Sequence, residues 1–236
     1  MTLQSSGAIS LDDMHVELSQ SSGTECSIND ADIRGLIGKS AGATMSFNEW
    51  YGASNIRYIT ATGGSQYTSG NYRFHVFNSS GTFNITQSAV GVSNTIDYMI
   101  IAGGGSGGTS KNSSYTANGG AGGGAGGYIT GSFTASAGAK SVTVGGGGAQ
   151  QTGGGTANGS NSSIAGVATA TGGGGGGYYD QNQSGSSRYQ TRSGGSGGGG
   201  PMNSNGGGYA GGSGTSGQGN NGSQGDFINH NFGSNR

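Results

Sequence analysis

The chain has 236 residues, of which 58 are glycine, and it contains one proline, one cysteine and one tryptophan. Charged residues make up 8% of the chain, and the formal net charge is −1. This composition excludes collagen, a disulfide-linked scaffold and a cysteine-rich zinc site, and it argues against electrostatic binding of nucleic acid.

Residues 1–55 contain a repeat in which a serine is followed, three positions later, by an acidic residue. A serine at a helix start accepts a hydrogen bond from an early backbone N–H, and the acid complements the positive end of the helix. The repeat therefore predicts three short helices, over 11–19, 29–37 and 47–51. The serine–acid pairs are Ser10 and Asp13, Ser27 and Asp30, and Ser46 and Glu49.

A segment of about 55 residues buries little core on its own. We therefore interpret residues 1–55 as a module that attaches the chain to a larger partner. The residues expected to make that attachment are the larger apolar residues of the three predicted helices: Leu11, Met14, Leu18, Ile33, Leu36, Phe47, Trp50 and Tyr51.

Residues 56–101 change to the alternating pattern of β-strands. The segments 72–77 and 82–86 flank the turn sequence 78–81, which predicts a hairpin. A later strand, 96–101, leads directly into Gly103 and the first glycine run. We interpret 56–101 as a β adaptor.

Residues 102–236 are dominated by glycine runs. Residues 1–100 hold 11 of the 58 glycines, which leaves 47 in 101–236. Ordering glycine carries a large entropy penalty, so such runs become ordered only when nearly every backbone N–H and C=O is bonded. Polyglycine II helices packed side by side meet that condition, because their polar groups point outward to neighbours. The alternative is a flexible low-complexity segment.

The predicted fold is mainly β and irregular. It comprises a small N-terminal helical repeat module, a β-hairpin or sheet adaptor, and a polyglycine II helix sandwich with loops between the runs. One strand pair is expected inside the glycine region, between 128–133 and 140–144.

The segments between glycine runs carry the aromatic and charged residues that dominate binding hot spots. We expect them to form a recognition surface, although loops that merely solubilise the bundle are the alternative. The candidate binding residues are Lys111, Asn112, Tyr115, Tyr178, Tyr179, Asp180, Arg188, Tyr189, Arg192, Met202 and Asn203.

No catalytic, cofactor-binding or metal-binding residue is predicted. The run Gly103–Gly108 fits the dinucleotide fingerprint, but the residues after it lack the apolar period of the required helix. The sequence Gly38-Lys39-Ser40 has Ile33 where a P-loop requires its first glycine. Because no paired carboxylates stand out near the glycine region, an enzyme is the least favoured class.

Several segments resemble phage tail-fibre proteins. The stretch Tyr72–Phe83 and the strand and glycine run Ile96–Gly108 resemble a recurrent module of phage tail-fibre and related virion proteins. The stretch Thr171–Gly177 is similar to the glycine-rich domain of such proteins. The N-terminal repeat, through Gly52, is similar to modules that precede it. The resemblance implies a glycine-rich receptor-binding adhesin like those at the tail-fibre tips of T-even-type phages.

In such adhesins a polyglycine II sandwich presents loops to a bacterial surface protein or glycan, and an N-terminal part attaches to other virion proteins of the fibre or baseplate. The resemblance thus implies a place in the virion. The N-terminus lacks the basic start and apolar core of a secretory signal, so synthesis in the host cytoplasm is expected. The apolar runs are too short to span a bilayer and the net charge is −1, so neither membrane insertion nor nucleic-acid binding is expected. A purely structural virion component, such as a baseplate, collar or decoration protein, is the main alternative. An ice-binding or matrix protein is a weaker one.

Overall fold

A computed structural model describes residues 2–109, 119–152, 154–179, 189–202 and 208–225. The chain divides into two compact units. The first, here called the helical unit, comprises Met1–Ala61, Ile85–Thr95 and Thr134–Ala137, and the second, the glycine unit, comprises Thr62–Asn84, Ile96–Phe133 and Gly138–Arg236. Residues 56–101 therefore contribute to both units.

Short helices begin at the serine–acid repeat. They are α1 (Leu11–Glu17), α2 (Ala31–Gly35) and a 3₁₀ helix (Phe47–Trp50). At α1, the Asp13 N–H donates to Ser10 Oγ at 3.1 Å while the Ser10 N–H donates to Asp13 Oδ2 at 2.8 Å. These helices are shorter than predicted. Helix α1 ends before Ser19, which has a left-handed φ of 65°.

One core cluster of the helical unit consists of four buried apolar side chains. Met14, Ile33 and Trp50 are fully buried, and Leu3 is nearly so. The indole N–H of Trp50 donates to the backbone oxygen of Ile33 at 3.2 Å, so this large side chain is both packed and hydrogen-bonded. Apolar burial thus holds the helices together.

Eleven strands follow in the described part of the chain, and most are short. They form a five-stranded sheet in the order β1-β4-β7-β8-β9 and three two-stranded sheets, β2-β3, β5-β6 and β10-β11. The strands are β1 (Thr60–Thr62), β2 (Ser65–Ser69), β3 (Tyr72–Val76), β4 (Gly81–Gln87), β5 (Thr95–Ile101), β6 (Tyr128–Thr134), β7 (Gly138–Thr143), β8 (Ser162–Ile164), β9 (Ala168–Ala170), β10 (Tyr178–Tyr179) and β11 (Tyr189–Gln190). The prediction of a mainly β and irregular fold is confirmed.

The predicted hairpin between 72–77 and 82–86 is wrong. Strand β3 pairs with β2, with Tyr67 opposite Phe74, while β4 lies between β1 and β7. The turn of the actual hairpin is Gly70-Asn71, where Gly70 adopts a φ of 55°. Glycine followed by asparagine is a recognised two-residue hairpin signal, so the turn was available in the sequence.

The predicted pairing of 128–133 with 140–144 is also wrong. Strand β6 pairs with β5, and β7 lies between β4 and β8. The reason lies in the glycine segments that follow β5 and precede β6. The Ala102 N–H donates to the Gly127 oxygen at 3.0 Å, and the Gly105 N–H donates to the Gly124 oxygen at 2.8 Å. The two strands therefore continue a pairing already set by the glycine segments.

The segment 171–177 lies at the centre of the glycine unit and has the hydrogen bonding of a polyglycine II helix. Its residues 172–177 are all buried. Gly173 and Gly176 donate to the 102–109 segment, Gly174 and Gly177 donate to 194–200, and Gly172 and Gly175 donate to the side-chain oxygens of Asn161 and Asn158. Successive residues thus donate to three neighbours in rotation, which requires three residues per turn.

Eight segments of the described chain build this bundle. They are 102–109, 119–127, 144–148, 155–161, 171–177, 194–200, 208–214 and 218–225. Strands β5, β7 and β9 each precede a glycine segment, and β6 and β8 each follow one. All five adjoin the bundle at the same end, which we call the strand end. Among the described residues, no helix has the length and apolar character needed to cross a membrane.

Candidate functional site

Several connections between glycine segments leave from the end of the bundle opposite strands β5–β9. A series of backbone hydrogen bonds joins residues near that end. They run from Gly108 to Ala121, from Ala121 to Gly177, from Gly177 to Gly199, from Gly200 to Ser223, and from Gly225 to Tyr209, at 2.8–2.9 Å. At this end, described segments finish at residues 109, 179, 202 and 225, and the following ones begin at residues 119, 189 and 208. We call it the loop end.

A two-stranded ribbon fixes the chain on both sides of connection 180–188. Tyr178 pairs with Gln190, and Tyr179 pairs with Tyr189. The Tyr178 hydroxyl also donates to Gln190 Oε1 at 3.2 Å. Tyr178 and Tyr179 are only 9% and 7% exposed. Of the predicted binding residues, these two therefore contribute packing beneath the connection.

The other described candidates occupy different positions. Met202 is half-buried next to the buried Pro201, at the start of connection 203–207. Arg192 is exposed, and its backbone joins two glycine segments: its N–H donates to the Gly175 oxygen at 3.2 Å, and its oxygen accepts from Gly198 at 3.0 Å. The remaining candidates, Lys111, Asn112, Tyr115, Asp180, Arg188, Asn203 and the side chain of Tyr189, lie outside the described residues.

Most predicted attachment residues lie in or against the core of the helical unit. Met14, Ile33 and Trp50 are buried, whereas Leu11, Leu18 and Leu36 are partly buried against them. Phe47 and Tyr51 are 49% and 39% exposed. Among the predicted attachment residues, these two present the most apolar surface for contact with a partner.

The glycine fingerprint after β5 leads into an extended segment. Residues 102–109 run through the bundle as a threefold helix, whereas a dinucleotide site requires an α-helix whose N-terminus faces the pyrophosphate. Close packing explains the glycines, because a Cβ on Gly105 would fall on the backbone oxygen of Gly174. No group of three or more metal-ligating side chains occurs among the described residues.

The sequence did not indicate the exposed apolar side chains of the β2-β3 hairpin and the β5-β6 strand pair. Tyr72, Phe74 and Val76 alternate along β3, as the sequence indicates, but all three are at least 41% exposed. Met99 and Ile101 on β5 are 64% and 58% exposed. Alternation identifies two faces of a strand but not which of them meets solvent. The sequence therefore indicated an apolar face on β3 but not that this face is exposed.

Comparison with known proteins gives one match. A family model described as a glycine-rich domain matches residues 76–235. Neither the curated proteins nor the solved structures contain a significant match to the chain.

Proposed function

The chain belongs to the glycine-rich domain family, and on that premise we propose that it is a receptor-binding adhesin of a phage tail fibre or tail tip. One observation carries the proposal. The described chain exits four times at one end of a hydrogen-bonded bundle, while strands β5–β9 adjoin the bundle at the other end. A scaffold built this way offers several connections to one target at the same time.

The bundle fixes the places from which the connections leave. Connection 110–118 lies between segments joined by the Gly108–Ala121 hydrogen bond, and 180–188 lies between the paired residues Tyr179 and Tyr189. Ordering flexible segments reduces binding affinity. Anchoring both ends of each connection lowers that penalty, which supports a recognition role for the loop end.

Charge is concentrated in the connections. Residues 102–225 contain five charged residues, and three of them, Lys111, Asp180 and Arg188, lie in connections 110–118 and 180–188. Tyr115 accompanies Lys111 in the first of these. Tyrosine and arginine are enriched in binding hot spots, so a bacterial surface protein or glycan is the expected target.

The test compares two triple variants for binding to intact bacteria. Fluorescently labelled protein is applied to a panel of Gram-negative strains, and a strain that binds it is used for titration. Substituting Lys111, Tyr115 and Arg188 by serine should weaken binding at least about tenfold, as expected for two or more hot-spot residues. The control substitutes Lys140, Tyr58 and Arg57 by serine, which removes the same residue types from positions outside the connections.

Equal binding by the loop variant and the control contradicts the adhesin proposal, and so does the absence of binding to every strain of the panel. The second candidate is a purely structural virion component, such as a baseplate, collar or decoration protein. The exposed apolar side chains of β3 and β5 favour it, because such surfaces mark contacts with other proteins. A structure of the assembled particle distinguishes the two candidates: loop ends covered by neighbouring proteins would support the structural component, and exposed loop ends would support the adhesin.

A further inference from the structure

Two strand pairs of the glycine unit, the β2-β3 hairpin and the β5-β6 pair, expose a large apolar surface. On β2-β3, the side chains of Tyr67, Tyr72, Phe74 and Val76 are 59%, 70%, 49% and 41% exposed. On β5-β6, Met99, Ile101 and Tyr128 are 64%, 58% and 50% exposed. We call these seven side chains the apolar strand face. Soluble monomers rarely expose so many large apolar groups together unless the surface makes contacts.

The β2-β3 hairpin and the β5-β6 strand pair lie on either side of a cavity of about 350 Å³. Consecutive residues of β3 (73–77) and of β5 (96–101) line it, together with parts of β7 and β8. Each pair is a two-stranded sheet in the described part of the chain, but β5-β6 continues into the hydrogen-bonded glycine segments, whereas β2-β3 is a hairpin without such an extension. Isolated two-stranded hairpins are marginally stable in water. Covering the apolar face would therefore stabilise β2-β3 as well as bury the side chains.

The area of the face matches a protein–protein interface. Taking about 200 Å² for a whole aromatic side chain and about 150 Å², the lower end of that range, for an aliphatic one, the exposed fractions of these seven residues correspond to roughly 700 Å². That value is close to the ~800 Å² that one partner contributes to a stable complex. The face is thus large enough for a specific interface, without contributions from the rest of the surface.

Charge in this region is compatible with a second copy of the same chain. Arg73 and Asp97 both line the cavity beside the face, and the whole chain has a formal net charge of −1. Two copies that meet here bring together one base and one acid each, with no accumulation of like charge. Identical surfaces of this kind form closed interfaces about a twofold axis.

We propose that the apolar strand face is the contact surface between two copies of this chain. The face lies toward the strand end of the bundle, so association through it leaves the loop end uncovered. Two loop ends on one assembly would bind a repetitive surface with higher avidity than one. The proposal does not depend on the adhesin function, because it concerns residues that the loop end does not use.

Sedimentation velocity and light scattering of the full chain test the proposal over a range of micromolar concentrations. The expected particle has twice the 22.9 kDa mass of the chain. Substituting Tyr72 and Phe74 by serine should raise the dissociation constant at least about tenfold, because both are large, exposed aromatic side chains of the face. Far-UV circular dichroism of the variant checks that it remains folded. Met99→Ser on strand β5 provides an independent variant of the same face.

The chain offers a closely matched control. Tyr58 is 70% exposed, as is Tyr72, but it lies in the helical unit. Serine at Tyr58 should leave the dissociation constant unchanged, whereas serine at Tyr72 should raise it. A single 22.9 kDa species at every concentration overturns the proposal. An assembly that survives serine at Tyr72 and Phe74 overturns it as well, whereas weaker binding to bacteria by the loop variants does not affect it.

Discussion

The helical unit and the glycine bundle bury their interiors by opposite means. In the helical unit, the large side chains of Met14, Ile33, Trp50 and Ile85 are fully buried. In the bundle, residues 172–177 are buried without any side chain, and each of their N–H groups is hydrogen-bonded in one of three directions. A buried interior therefore does not require apolar side chains, provided that the buried backbone groups are paired.

This difference predicts that adding or removing carbon atoms will have opposite consequences in the two regions. The helical unit is sensitive to the loss of side-chain volume, because cavities destabilise apolar cores. The bundle is sensitive to the gain of volume, because its backbones approach each other where a Cβ would lie. Each region can therefore be damaged by a substitution of a kind that the other tolerates.

The largest effect is expected at the centre of the bundle. A Cβ on Gly174 would fall on the backbone oxygen of Arg192 and lie 2.9 Å from the Gly198 nitrogen, both of which belong to rigid backbone. We expect Gly174→Ala to reduce the free energy of unfolding by more than about 4 kcal/mol, which is the range of severe overpacking and broken hydrogen bonds. Calorimetry and amide hydrogen exchange of the glycine segments measure this loss.

Gly122→Ala is the matched control for Gly174→Ala. A Cβ on Gly122 meets nothing within 4 Å, and Gly122 does not have a left-handed φ. The alanine should leave stability within about 0.5 kcal/mol of the parent or increase it slightly, because it restricts the unfolded chain. Similar losses at Gly122 and Gly174 would contradict the view that close backbone packing determines which glycines are required.

Removing volume from the helical unit should have the next largest effect. Met14 is fully buried, and burial of this kind makes Met14→Ala destabilising by about 2–5 kcal/mol. The chain has a single tryptophan, Trp50, whose side chain packs in the same core. Its fluorescence during denaturation therefore monitors the helical unit alone.

Met99→Ala makes the same chemical change at a side chain that is 64% exposed in the glycine unit. It should leave the fluorescence transition of Trp50 in place. If Met14→Ala also left that transition unchanged, apolar burial would not be the main stabilising term of the helical unit.

Local signals predicted the fold well where a few neighbouring residues decide the structure. The serine–acid pairs located the starts of α1 and the 3₁₀ helix, since hydrogen bonds over three residues fix these starts. The length and spacing of the glycine runs predicted the polyglycine II bundle. Strand partners could not be obtained this way. The pairing of β5 with β6 joins segments 26 residues apart and depends on the glycine segments between them.

The candidate site was predictable in part. Its position between glycine runs followed from composition, and connections at one end follow from a bundle that reverses direction. The burial of Tyr178 and Tyr179 did not follow, because it depends on pairing with Tyr189 and Gln190 across nine residues. The apolar strand face was missed because the sequence of β3 shows alternation without indicating its solvent side.

The smallest predicted effect is a difference between the two regions in how acid changes their stability. Hydrogen bonds from the Ser10 hydroxyl and then the Ser10 backbone lower the pKa of Asp13, and the Lys39 ammonium and then the Ser46 N–H lower the pKa of Glu49. A carboxyl whose pKa is lower in the folded state stabilises that state fully above its unfolded pKa of about 4, and this contribution disappears as the pH falls through the folded pKa.

The helical unit should therefore lose stability as the pH falls below about 4, whereas the glycine bundle, with Asp180 as the only acidic residue in 102–225, should change little. Trp50 fluorescence follows the first unit, and amide exchange of the glycine segments follows the second. Asp13→Asn removes one of the titrating groups and should make the fluorescence transition less dependent on pH. Loss of protection in the glycine segments at a higher pH than the change in Trp50 would contradict the distinction, because it would require ionisable side chains to hold together a bundle that is hydrogen-bonded through its backbone.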